Sequence, residues 1–284
     1  MCLGYYKSQI NRPVNNFVLR TITGIVFVAV IVLAVWLSFV SMLLLFLLVS
    51  LLGIWEFFSL VEQNGNSPQK YLALLVTLFC FFSLLVRGVP EYLVIFPGLM
   101  FISELFRKKE QPFINVAYTF LGLIYILLPF CLLAWHSFNF YSTEKEGYYP
   151  YLILGVFFLI WSNDTFAYLS GKAFGKTKLF ERISPKKTWE GAIGGGVCTV
   201  AIGVALSRFY TEYNWNDWII ISLIVVVVGT YGDLTESLFK RSINVKDSGN
   251  IIPGHGGILD RFDSFLLAAP FVFFYVVFLR DFLL

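Results

Sequence analysis

Charge is scarce in this chain. Only 14% of its 284 residues are Asp, Glu, Lys or Arg, against about 25% in a soluble domain. Histidine is almost missing, with two residues, His136 and His255. The four cysteines, Cys2, Cys80, Cys131 and Cys198, fall at no metal-ligand spacing, and three lie inside apolar runs. Those shortages exclude a zinc site built on Cys and His and argue against a disulfide framework, leaving the cysteines as small apolar packing residues. No internal repeat is visible, and no polar segment is long enough to fold alone. The first 16 residues carry no adjacent apolar core or small-residue cleavage site, so a cleaved signal peptide is not expected.

Apolar residues make up 58% of the chain, including 31 Phe and 15 Tyr. One water-soluble core of this size cannot bury them. The expected class is an all-α polytopic membrane protein forming a single transmembrane domain over 1–284. Nine runs approach the roughly 20 apolar residues that a span requires: 21–40, 41–61, 71–87, 91–106, 115–137, 149–171, 190–208, 217–239 and 258–280. Spans one to five occupy 1–150, and spans six to nine, with the polar loops, occupy 151–284. With the N-terminus cytoplasmic and the C-terminus on the far side, all but four of the 21 basic residues face the cytoplasm. The four are Arg87, Lys145, Arg208 and Arg280. Such asymmetry follows the positive-inside rule and supports nine crossings.

The few charges are concentrated late. Span six ends with Asp164 near its cytoplasmic exit, span eight ends GTYGDLTESLFKR, and span nine begins HGGILDRFDS. This topology brings the unusual polar residues to one face at headgroup depth. Ionisable groups cost about 2.5–3.5 kcal/mol each on insertion scales, so function is their default explanation. Asp233, Glu236, Ser237 and Lys240 form one helical stripe, and Asp260 and Asp263 share a face, with Arg261 pointing elsewhere towards headgroups or a neighbouring helix. Carboxylates from two facing helices, with no His/Cys cluster beside them, suit a hard cation such as Mg²⁺ that also engages phosphates. Interhelical salt bridges with Lys240, Arg241 or Arg261 would explain any single acid. They do not explain the whole set together with its glycine-rich loops.

In ISPKKTWEGAIGGG, Ser184 and Pro185 read as an N-cap and first helical residue, which places Lys186 and Lys187 in an anion-favouring first turn. Gly191 and Gly195 form a close-packing GxxxG step. The loop KDSGNIIPGHGG carries Lys246, Asp247 and His255 among glycines that permit close approach to a ligand. His136 reads as an interfacial or packing residue. Glu56 and Glu104 read as isolated acids without chemistry.

The run S-x-F-K-R-x4-K-D-S-G-x3-P-G-H-G-G-x2-D-R-x-D, from Ser237 to Asp263, resembles the signature of the phosphatidate cytidylyltransferase (CDP-diacylglycerol synthase) family. Asp164 to Lys176 and Ser184 to Gly191 resemble a second motif region of that family, whereas residues 1–150 match it only in hydropathy and length. The resemblance implies transfer of CMP from CTP to phosphatidate in phospholipid biosynthesis, with pyrophosphate as the other product. It implies Asp233, Asp260 and Asp263 for Mg²⁺, a second cation, and Lys240, Arg241, Lys246, Lys186 and Lys187 for phosphates. Asp247 and His255 would order the loop or touch nucleotide. Asp164, Ser184, Ser237 and Arg261 would contribute to substrate binding. The implied partners are CTP, phosphatidate, membrane lipids and a second copy of the chain, without nucleic acid. A bacterial plasma membrane, with the site facing the cytoplasm, is the expected location. Two other readings carry distinct expectations. A CTP-dependent transferase or kinase for another lipid would share this cavity. A transporter would spread its acids through the membrane depth.

Overall fold

The computed structural model describes residues 16–86, 95–139, 147–245, 248–249 and 256–280. Ten α-helices and one β-hairpin make up its regular structure. Helix α1 (Asn16–Leu37) is separated from α2 (Phe39–Gln63) by Ser38 alone, whose side chain accepts the Ser41 N–H as an N-cap. After them come α3 (Lys70–Leu85), α4 (Ile95–Arg107), and α5 (Pro112–Gly122) running into α6 (Leu128–Asn139) through a π-turn at Leu123–Leu127. That turn ends two residues before Pro129, which lacks the N–H needed to continue the regular ladder. Helix α7 (Tyr151–Phe174) leads to strands β1 (Lys178–Phe180) and β2 (Ser184–Thr188), then to α8 (Trp189–Leu206), α9 (Trp215–Ser242) and α10 (Leu259–Phe274).

Among the described residues, six helices are long and apolar enough to cross a membrane: Phe39–Gln63, Pro112–Phe138, Tyr151–Phe174, Trp189–Leu206, Trp215–Ser242 and Leu259–Leu279. Thr21–Leu37 and Lys70–Leu85 are shorter apolar helices. Helix α4 has 13 residues, about 20 Å at helical rise. This is less than the roughly 30 Å hydrocarbon thickness. Residues 87–94, where the fourth expected span begins, lie outside the described residues.

Aromatic residues fill the centre. Phe157 of α7 stacks on Phe265 of α10 at 4.9 Å between ring centroids, and Phe130 of α6 meets Phe265 at the same separation. Small residues then let the last four helices approach closely. A Cβ at Gly195 or Gly191 would run into Ala167 of α7, and one at Gly232 would strike the Asp263 carbonyl of α10. The expected packing role of the GxxxG step is therefore realised against α7. These contacts hold α7, α8, α9 and α10 in register, and the polar ends of α7, α9 and α10 gather beside the hairpin.

The expected helix start at Ser184–Pro185 is corrected. Ser184–Thr188 is a strand, antiparallel to β1, with Phe180 opposite Ser184 and Lys178 opposite Thr188. Thr188 is the actual N-cap of α8 and accepts the Gly191 N–H at 3.2 Å. One helical turn cannot begin at Ser184, because other bonds fix the entry point four residues later. Trp189 N–H donates to the Thr177 carbonyl, and the Glu190 carboxylate accepts from the N–H groups of Lys176 and Thr177. Thr188→Ala is expected to cost about 1 kcal/mol of stability, measured by unfolding in mixed micelles, with Thr188→Ser close to the parent.

Candidate active site

A cavity of about 620 Å³ opens where α1, α7, the hairpin, α8, α9 and α10 meet. Seven of the charged residues singled out by sequence line it: Asp164, Lys186, Lys187, Asp233, Asp260, Arg261 and Asp263. Helix α7 delivers Asp164, α9 delivers Asp233, and the first turns of α10 deliver Asp260, Arg261 and Asp263. Lys186 and Lys187 come from β2 rather than from a helical turn. The extended backbone carries them across the cavity mouth, and Lys187 ion-pairs with Asp233. Arg261 is also corrected: it does not point away from the acids but lines the same cavity, where its charge acts on Asp164.

The acids are mutually repulsive. Asp233, Glu236 and Asp164 all lie within electrostatic reach of Asp263. Among the described residues Asp233 has Lys187 as its ion-pair partner and accepts from Ser237 at 3.4 Å, one helical turn later. Four aspartates, three lysines and an arginine line the one cavity, a mixture that suits an anionic ligand accompanied by a hard cation. Oxygen donors of this kind bind Mg²⁺ while leaving room for phosphate oxygens and water. Asp164, Asp233, Asp260 and Asp263 are hard oxygen donors of that type, yet among the described residues no three His, Cys, Asp or Glu side chains are grouped closely enough to hold a metal ion.

Asp260 is held differently. Its Oδ1 accepts from Lys240 Nζ at 2.5 Å, and its Oδ2 accepts from Gly257 N–H at 2.8 Å and Ser248 N–H at 3.1 Å. Among the described residues Oδ1 has that single hydrogen-bond donor, and the residue lines the cavity. Lys240 also contacts Glu236 Oε2 at 2.6 Å. Its ammonium is thus held between two carboxylates, and it does not line the cavity. Ser237, Ser184 and Arg241 do not line it either. Arg241 donates to the Val245 carbonyl at 3.3 Å, and Ser184 lies in the hairpin. Lys246, Asp247 and His255 lie outside the described residues. His136 packs at a distance from the site, 2.7 Å from the Tyr213 hydroxyl.

Sequence reasoning missed several residues. Glu56 and Glu104, read as isolated acids, are both buried and bonded. Glu104 pairs with Arg107 at 2.8 Å and accepts from Gln69 at 2.6 Å, a cluster that ties α3, α4 and α5 together. Glu56 reaches the start of α10. Lys172, Asn163, Trp161 and Tyr168 join the cavity wall from α7, and Thr23 and Phe27 join from α1. The helical spacing of α7 places Lys172 two turns beyond Asp164 and so on its face, a signal that was present. No comparable pattern marks the α1 residues.

Known proteins are similar to this chain in sequence. A family model described as the cytidylyltransferase family matches residues 18–279. A phosphatidate cytidylyltransferase of Staphylococcus aureus (strain COL) is 44% identical over 165 residues, covering 57% of this chain and 60% of that protein. The phosphatidate cytidylyltransferase of Rickettsia typhi (strain ATCC VR-144 / Wilmington) is 42% identical over 207 residues, covering 70% of this chain and 86% of that protein. The match thus spans about three fifths of the staphylococcal protein and most of the rickettsial one.

Proposed function

Because the chain belongs to the cytidylyltransferase family, we propose that it transfers CMP from CTP to phosphatidate, giving CDP-diacylglycerol and pyrophosphate. The convergence of Asp164, Asp233 and Asp263 with Lys186, Lys187 and Arg261 on one cavity carries this reading. Two anionic substrates must approach one another there, and basic and acidic side chains lining one cavity answer both needs. The basic side chains hold phosphates, and the acidic ones would hold the cation that accompanies the nucleotide.

A phosphate oxygen of phosphatidate attacks the α-phosphorus of CTP in line, the bond to the bridging oxygen breaks, and pyrophosphate leaves. That oxygen is already a nucleophile, so the protein supplies position and charge stabilisation rather than proton transfer. Lys186 and Lys187 steady the triphosphate, and Arg261 steadies the lipid phosphate at headgroup depth. Arg241 and Lys246 add positive charge around the cavity, and Asp247 and His255 order the adjoining loop. Ser237 orients Asp233, Ser184 fixes the hairpin, and Lys240 holds Asp260 in place. Asp233, Asp260 and Asp263 would hold Mg²⁺, with Asp164 beside them and a second cation alongside. When bound, the metal neutralises charge developing on the phosphates.

The positive-inside asymmetry supports nine crossings, with the N-terminus and the cavity on the cytoplasmic side of a bacterial plasma membrane. CTP would then enter from water and phosphatidate from the bilayer. A homodimer belongs to the same proposal. Purified protein given CTP, phosphatidate and Mg²⁺ should release one pyrophosphate for each CDP-diacylglycerol formed. Diacylglycerol or a prenol in place of phosphatidate should release none. Phosphorylation of either alcohol would instead identify a lipid kinase.

A further inference from the structure

Helix α10 begins without a cap of its own. Its N-cap residue, Ile258, has no side chain able to accept a hydrogen bond, yet the first N–H groups of any helix need partners. A carboxylate from the other half of the chain supplies one. Glu56 of α2, only 5% exposed, accepts the Leu259 N–H on Oε2 at 2.9 Å. The same oxygen lies 3.1 Å from Ser248 Oγ. Ser248 Oγ is in turn 3.0 Å from Asp260 Oδ2, which also accepts the Ser248 N–H. The hydroxyl thus lies within hydrogen-bond distance of both carboxylates and donates its one proton to either.

Burying Glu56 beside Asp260 is electrostatically unfavourable, so its position calls for a role. The glycines around it are shaped to its presence. A Cβ at Gly249 would collide with Glu56 Oε1, and its three nearest neighbours would all be Glu56 atoms. A Cβ at Gly257 would meet the same oxygen and Ser248 Oγ. Oε1 itself is buried and accepts no hydrogen bond among the described residues.

We propose that Glu56 is a positioning residue. From α2 it clamps the loop after α9, through Ser248, to the first turn of α10, through Leu259. It thereby sets the carboxylates of Asp260 and Asp263 against the cavity, and Gly249 and Gly257 leave the space it occupies. The kinetic consequence rests on the cytidylyl-transfer reading; the clamp does not.

The test compares full-length protein in detergent carrying Glu56→Ala, Glu56→Gln, Gly249→Ala, or Glu56→Ala with Gly249→Ala. Hydrogen exchange of peptides spanning 256–262 should quicken by about tenfold in Glu56→Ala while peptides from 112–139 stay unchanged. The kcat should fall by about 30- to 100-fold with KM for CTP within about threefold, as expected when bound groups are misaligned rather than lost. Glu56→Gln, which can still accept both bonds, should stay within about tenfold of the parent. Gly249→Ala should be damaging alone but add nothing to Glu56→Ala, because the clash vanishes with the side chain. Unchanged exchange in Glu56→Ala, or losses that simply multiply in the double variant, would overturn the clamp. Gln as poor as Ala would overturn the acceptor role in favour of charge. If the parent makes no CDP-diacylglycerol, the proposed function fails, and the exchange comparison still decides the clamp.

Discussion

Asp233→Asn is expected to reduce turnover by at least about 1000-fold, a loss on the scale of removing a principal electrostatic stabiliser. The substitution keeps the volume of the side chain and an oxygen that can accept from Ser237 one turn later. What disappears is the negative charge. In the structure that charge is paired with Lys187 from the hairpin, across a cavity where Asp164 and Asp263 add like charge. Removing one acid relieves repulsion among the rest, so the fold should suffer little. The thermal midpoint in detergent should therefore stay within a few degrees while product formation vanishes, and extra Mg²⁺ should not restore it. Activity close to that of the parent would sink the assignment of Asp233 to cation binding.

Lys240→Met should damage the protein in the opposite way, through stability first. The Lys240 ammonium, 9% exposed as a residue, contacts Glu236 at 2.6 Å and Asp260 at 2.5 Å. Met fills the aliphatic volume but leaves two facing carboxylates without their shared cation. Breaking a buried pair from one side costs about 3–5 kcal/mol. Asp260 would also be released from one of the bonds that aim it, so activity should fall even at temperatures where the variant is folded. Adding Glu236→Gln removes one of the stranded charges and should recover part of the lost stability, a coupling that two independent sites would not show. Unfolding in mixed micelles, read for both single variants and the double, checks this. A Lys240→Met variant as stable as the parent would mean that the ammonium is not needed between the two acids.

Much of this was legible in the sequence, for physical reasons that differ by region. Membrane spans must be helical because lipid offers no partner for the backbone, so apolar length alone located helices: each of the nine segments meets one among the described residues, and six of these are long and apolar enough to cross a membrane. The i, i+3 spacing of Asp260 and Asp263 correctly put both on the cavity, and Asp164 and Asp233 followed from the direction of their helices. The hairpin was not legible. Ser-Pro is a sound helix-start signal, but Thr188 competes for the same role, and the deciding bonds from Trp189 and Glu190 to the segment 176–177 are tertiary. Arg261 was misplaced because helical spacing separates it from Asp260 and Asp263, whereas its long side chain reaches the cavity that they line. Glu56 was invisible for a related reason. Its partners stand 192 and 203 residues later, and nothing in the α2 sequence distinguishes a buried clamp from a lone acid near a span end.

The central claim is that this cavity joins a nucleotide to a lipid phosphate by attack at the α-phosphorus. CTP labelled with ³²P at either the α or the γ position tests it most directly, given to the purified protein with phosphatidate and Mg²⁺. The account predicts α-label in the lipid phase and γ-label wholly in aqueous pyrophosphate. Label from the γ position in the lipid, or none from the α position with folded protein, would contradict it.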